Sequence, residues 1–203
     1  MHVRLLLVAA LVAALSGVMT AEVSASGGSF DFTYQLGTGF VSGVPPSDET
    51  AVHGPDMSIA ANGDTITITG TGRITFRQAK GSNRISAAGA SGEGTFAHKA
   101  ANGSLVASGT WTATELLDFQ SYGDGSPQSL PTNNFGGLAL LRVHYLATAG
   151  PGTGSEGDAL LWVDCLIGSP PADAVEGIRY AVPGAIDFNK QVSGETLLVA
   201  QAS

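Results

Sequence analysis

From Asp64 to Gln78 the chain alternates with period two. Ile66, Ile68, Gly70, Gly72, Ile74 and Phe76 fall on one side, and Thr65, Thr67, Thr69, Thr71, Arg73, Thr75 and Arg77 on the other. Successive side chains of a strand point to opposite faces, so this pattern describes a strand with one apolar face and one bearing hydroxyls and cations. A helix would scatter both sets around its circumference, and threonine next to glycine is poor helix material. The same alternation groups Phe30, Phe32, Tyr34 and Leu36 on one face of 30–36. It predicts further strands over 85–100, 104–119, 138–147, 158–167, 177–182, 185–189 and 195–200.

Two Asn-Gly pairs punctuate the pattern, and each reads as a two-residue hairpin loop. With Asn62-Gly63 at the tip, Ala61 faces Asp64, Ile59 faces Ile66 and Met57 faces Ile68. With Asn102-Gly103 at the tip, Ala100 faces Leu105, His98 faces Ala107, Phe96 faces Gly109 and Gly94 faces Trp111. Each aromatic then covers a glycine across the ladder, which protects bare strand backbone. The three strands over 64–78, 85–100 and 104–119 are long and carry internal glycines, as a sheet needs where it bends. Gly- and Pro-rich loops are expected over 41–56, 121–137, 148–157 and 168–174. None is a domain linker. The expected architecture is all-β: one antiparallel, meander-rich domain over 26–203 with nine or ten strands, arranged as a β-barrel or a barrel-like β-sandwich.

The first 25 residues differ. Met1-His2-Val3-Arg4 supplies a positive start, Leu5 to Leu15 is an unbroken apolar run of eleven residues, and small residues follow up to Ala21 and Ala25. That is the pattern of a cleaved signal peptide, and the apolar run falls short of the roughly 20 residues that span a bilayer. The expected location is secreted, extracellular or at the cell surface, with no membrane span.

Composition narrows the chemistry. The chain has nine Lys and Arg against 17 Asp and Glu, a formal charge of −8, and a single Cys. Nine scattered basic residues do not build the cationic stripe that nucleic acid requires. One Cys makes no internal disulfide and excludes Cys-based zinc and iron–sulfur sites. Asp48, Glu49, Asp56, Asp124 and Asp158 fall in expected loops, without the spacing of a calcium loop. No metal and no cofactor is expected.

Cys165 shares a uniformly apolar face with Ala159, Leu161, Val163 and Ile167, so it reads as a core thiol, inert through burial. The opposite face carries Asp158, Leu160, Trp162, Asp164 and Leu166. If 138–147 pairs with it through a symmetric loop, Arg142 faces Asp164 and His144 faces Trp162. Those four residues would form a polar and aromatic binding site, with Tyr122 in the 121–137 loop as a further candidate. The plainer reading is an exterior ion pair beside an aromatic. Trp111 falls on the core side of its strand and is expected to pack. His98 also falls on a core side, and Glu115 interrupts an apolar face between Ala113 and Leu117. That makes them candidates for catalysis, unless a bulge turns Glu115 outward. Rows of hydroxyls on the outer faces suit a solvated strand and are also able to dock carbohydrate.

The leading expectation is a secreted, non-catalytic β-domain that binds a small ligand or glycan, or acts as a surface-interaction module. One alternative is a barrel-type enzyme using His98 with Glu115, or His144 with Asp164, as acid and base. The other is a self-associating envelope protein, since few Lys residues guard its strand edges.

Overall fold

The computed structural model describes residues 28–37, 55–78 and 85–201. The expected leader, His53, and all of the 41–56 loop except Pro55 and Asp56 lie outside them. The described residues form eleven strands: β1 Gly28–Leu36, β2 Asp56–Ile59, β3 Thr65–Gln78, β4 Ile85–Lys99, β5 Leu105–Asp124, β6 Asn134–Ala149, β7 Glu156–Cys165, β8 Gly177–Val182, β9 Ile186–Phe188, β10 Lys190–Ser193 and β11 Thr196–Ala200. Among these residues the sole helical element is a 3-10 turn, Ser126–Gln128. Every strand pairing is antiparallel, and all strands belong to one sheet.

β3 to β6 follow one another as a meander, and two routes lead from β6 back to β3. One runs through β11 and β1, with Leu198 opposite Phe135 and Phe32 opposite Ile74. The other runs through β7, β8 and β9, after which the chain continues as β10 and pairs with β2 on the edge of β3. Between β2 and β8 the Ser58 hydroxyl donates to the Ile178 carbonyl. The enclosed face is filled by side chains, the largest being Trp111, Tyr34, Phe32 and Phe188. Phe30, Phe32, Phe76 and Phe119 cluster, with neighbouring ring centroids 4.8–6.1 Å apart. The expected core faces hold: Ile66, Ile68, Ile74 and Phe76 are buried, as are Ala159, Leu161, Val163 and Cys165.

Several registers differ from expectation. In both Asn-Gly hairpins the tip is a three-residue loop, closed by Ala60 N–H to Asp64 O (2.8 Å) and Ala100 N–H to Ser104 O (2.9 Å). Gly63 and Gly103 take positive φ (86° and 83°) as the last loop residue, the geometry of a turn followed by a bulge. At the first hairpin this shifts the register by one. Ser58 faces Ile66 and Asp56 faces Ile68, so Asp56 and Ser58 turn inward instead of Met57 and Ile59. Asp56 is thus a buried strand residue, not part of a loop. At the second hairpin a bulge beyond Lys99 cancels the shift, and Phe96/Gly109, Gly94/Trp111 and His98/Ala107 pair as expected. β5 is longer than expected, ending at Asp124, and is bulged at Thr114, Leu117 and Tyr122. Its buried positions therefore run Ala113, Leu116, Phe119, Tyr122, a spacing of three where an ideal strand shows two. The expected 185–189 strand is β9, and β10, which follows it over Lys190–Ser193, is an additional strand, giving eleven in place of nine or ten.

Candidate functional site

The β6–β7 ladder decides which candidates meet. Its loop is 148–154, centred on Pro151, because Glu156 and Gly157 already lie in the strand opposite Leu146 and Tyr145. Gly157 reads as a loop residue by composition, yet it belongs in the strand with the Tyr145 ring against its backbone. The ladder consequently slides four residues from the expected register. Arg142 faces Leu160, His144 faces Asp158, and Asp164 faces Leu138. Neither expected cross-strand pair forms.

Each candidate has another partner. Arg142 Nε lies 3.1 Å from Glu115 Oε2 on the neighbouring β5, both side chains exposed. The bulge at Thr114 turns Glu115 outward, so it does not face His98. His98 Nε2 lies 3.0 Å from Asp64 Oδ2, with its ring edge-on to Phe188. Asp64 also accepts from the Ala101 amide, so the group ties the two hairpin tips together. The His98 interaction, the largest influence, holds the Asp64 carboxyl below its ordinary value. His144 Nδ1 lies 3.3 Å from Asp158 Oδ1, exposed. These are polar contacts beside solvent or at a turn. Trp111 is 1% exposed and donates from Nε1 to the Thr69 carbonyl (3.1 Å), so it packs as expected.

Asp164, Tyr122 and Arg179 do come together, on the outer face of β5 to β8. Gln120, Leu138, Asp164 and Gly177 lie side by side across the four strands. A lip formed by Pro171 to Val175 and an opposite wall formed by Asn189 to Gln191 enclose a groove of about 540 Å³ above them. Tyr122, placed by its bulge in β5 and not in a loop, lines this groove, with its hydroxyl near enough to Asp164 to influence its carboxyl. Trp162 lies beside the groove, with the Arg179 guanidinium 5.5 Å above its ring, a cation–π contact that orients Arg179.

The lip is fastened at three points. Glu176 Oε2 accepts from the Leu166 amide (2.6 Å), joining the two ends of 166–176. Gln128 makes two bonds to the Gly168 backbone, at 2.8 and 3.0 Å. Ser169 N–H donates to Tyr122 O (2.7 Å). A groove held this way exists before any ligand arrives.

Asp164 is 7% exposed, and its Oδ1 has no hydrogen-bond partner among the described residues. Burial raises its carboxyl pKa, and the Tyr122 hydroxyl and the Arg179 charge act against that rise. A buried acceptor without a donor costs free energy, so this carboxylate is held in the lining at a cost.

No known protein family, curated protein or solved structure matches this chain.

Residue-by-residue reading of the sequence misses Gln120, Asp173, Arg179, Asn189 and Gln191, which line the groove with Asp164. Arg179 was findable in part, since it alternates with the apolar Ile178 and Tyr180. Its place next to Trp162 depends on the β7–β8 register. Among the described residues no group of three or more His, Cys, Asp or Glu is arranged to hold a metal, and no helix is long and apolar enough to cross a membrane.

Proposed function

We propose that this chain is an exported, non-catalytic binding domain, a barrel-like β-scaffold whose outer groove takes a small neutral polyhydroxyl ligand such as a mono- or disaccharide. The observation that carries the reading is Asp164, a largely buried carboxylate in the lining of the groove whose Oδ1 has no hydrogen-bond partner among the described residues. Gln120, Asn189, Gln191 and Arg179 surround it with planar groups whose donors and acceptors have fixed spacing. That spacing suits adjacent hydroxyls. Leu138 and Val175 add apolar surface for the C–H face of a ring. Two acids (Asp164, Asp173) balance two bases (Arg179, Lys190), so the lining favours no ion over a neutral molecule. The barrel-like scaffold is supported by the ladder that returns from β6 to β3, and export by the leader pattern at 1–25.

Calorimetric titration with a panel of neutral mono- and disaccharides tests this directly. At least one sugar should bind, and Asp164→Asn, which keeps the shape but replaces the charged acceptor, should weaken it about ten- to a hundred-fold, the worth of a hydrogen bond to a charged group. A panel in which nothing binds, or an Asp164→Asn protein that binds as well as the wild type, would overturn the reading.

A further inference from the structure

Asp56 begins β2 at the point where β3 changes edge partner, with Leu36 of β1 opposite Gly70 and Asp56 opposite Ile68. The register shift of the first hairpin turns it inward, where it is 0% exposed. Among the described residues neither carboxylate oxygen has a hydrogen-bond partner. From β3 it faces Ile68, and at the end of β1 the Gly37 backbone packs against its amide. Gly194, between β10 and β11, lies so close that a Cβ there would collide with the carboxylate. Among the described residues the charged groups acting on it are Glu176, which precedes β8, and Glu195, beside Gly194. Both are acids.

Glu176 is satisfied by comparison. It accepts from the Leu166 amide, the Thr196 amide (2.8 Å) and the Thr196 hydroxyl (2.8 Å). It thereby joins the base of the groove's lip to the start of β11. The Thr196 hydroxyl also lies 2.6 Å from the Asp164 carbonyl. Glu176, Thr196 and Asp164 are thus joined by hydrogen bonds where β7, the approach to β8 and the start of β11 meet, and Asp56 lies within electrostatic reach of Glu176.

We propose that Asp56 is a buried proton site that latches β10 and the Gly194 turn onto β2, and that loss of its proton loosens that segment. A neutral carboxylic acid can be enclosed here. An ionised one would sit without a donor between two acids, and the way to hydrate it is to lift Gly194 away. The same forces, burial first and the two glutamates next, raise its pKa from 3.8 to about 8. Burial also raises that of Glu176.

The sign follows from the proton count. Between pH 4 and pH 8 the folded chain keeps a proton on Asp56 that the unfolded chain has released. Folding stability therefore falls as pH rises through this window and levels off above it. Asn189 to Gln191, which wall the groove, belong to the loosened segment, so ligand binding weakens over the same range. That last consequence alone rests on the reading of the groove.

Thermal and urea unfolding of the ligand-free chain from pH 4.5 to 9 gives the test. The wild-type unfolding constant should rise by up to ten-fold per pH unit toward pH 8. Asp56→Asn, an uncharged carboxamide of the same shape, should reduce that slope by about one proton. A wild-type slope of zero, or an unchanged slope in Asp56→Asn, overturns the latch. Should Asp56→Asn fail to fold, amide exchange on the wild type decides. Protection of β2 and β10 should fall more between pH 6 and 8.5 than protection of β4 and β5, and an equal fall overturns the proposal. These measurements use no ligand, so failure of the latch is distinct from failure of the sugar-binding reading.

Discussion

A methyl group at Gly94 would meet the Thr69 carbonyl and the Trp111 indole. Gly70, directly across the ladder, carries the same ring at φ +157°, so this part of the sheet is flattened backbone under one large side chain. Gly94→Ala should therefore cost about 1–3 kcal/mol, the range for overpacking a tight core, read as a lower urea midpoint. Cys165 presents the opposite case, a group the fold silences. Burial pushes its thiol up to about 12, and it donates to the Phe135 carbonyl at 3.4 Å. A disulfide reagent at pH 8 should leave it unmodified in the native chain and modify it fully in guanidinium. Both roles were legible in the sequence, because Cys165 and Trp111 lie on core-facing positions of regular strands. Asp56 was not legible. Its orientation depends on whether a hairpin tip holds two residues or three, and Asn-Gly serves either geometry.

Bulges decide the behaviour of the elements. Three of them in β5 convert a period of two into a spacing of three and turn Glu115 to solvent, where it meets Arg142. That pair is exposed, so Arg142→Ala should change stability by less than about 1 kcal/mol. Ser58 makes a useful contrast. Its hydroxyl is buried and bonds the Ile178 carbonyl where β2 and β8 meet. Ser58→Ala leaves that carbonyl unpaired and should cost about 1–3 kcal/mol, more than Arg142→Ala. Chemical denaturation of both variants at pH 7 checks the order, and an equal loss would contradict it. The extent of β3, β4 and β8 was readable from alternation. The four-residue displacement of β6 on β7 was not, since Gly157 looks like a loop residue until Tyr145 is seen lying on it.

For the whole molecule, two sets of carboxylates oppose each other as pH changes. Asp31, Asp64 and Asp124 are held below their ordinary values, chiefly by Arg73, His98 and Ser126 respectively. Their contribution is present above pH 4 and lost as pH falls below it, and their exposure to solvent keeps it small. Asp56, Asp164 and Glu176 are raised, mainly by burial, and act in the opposite direction above pH 4. The balance places maximum stability near pH 4 to 5, where the net charge of −8 at pH 7 has also diminished and self-repulsion with it. A stability maximum at pH 7 or above, measured by calorimetry in matched salt, would contradict this.

What the amino-acid order determined by itself is the all-β character, the inward and outward faces of the regular strands, and the burial of Trp111 and Cys165. Those properties depend on a period of two, which is local and survives any choice of partner strand. The tertiary structure decided which outward residues meet. Asp164, Tyr122 and Arg179 share a groove, and Asp56 is enclosed with Glu176, because bulges, hairpin tips and one ladder offset fix the neighbours of each strand. Moving a ladder by four residues leaves every face unchanged and replaces every partner.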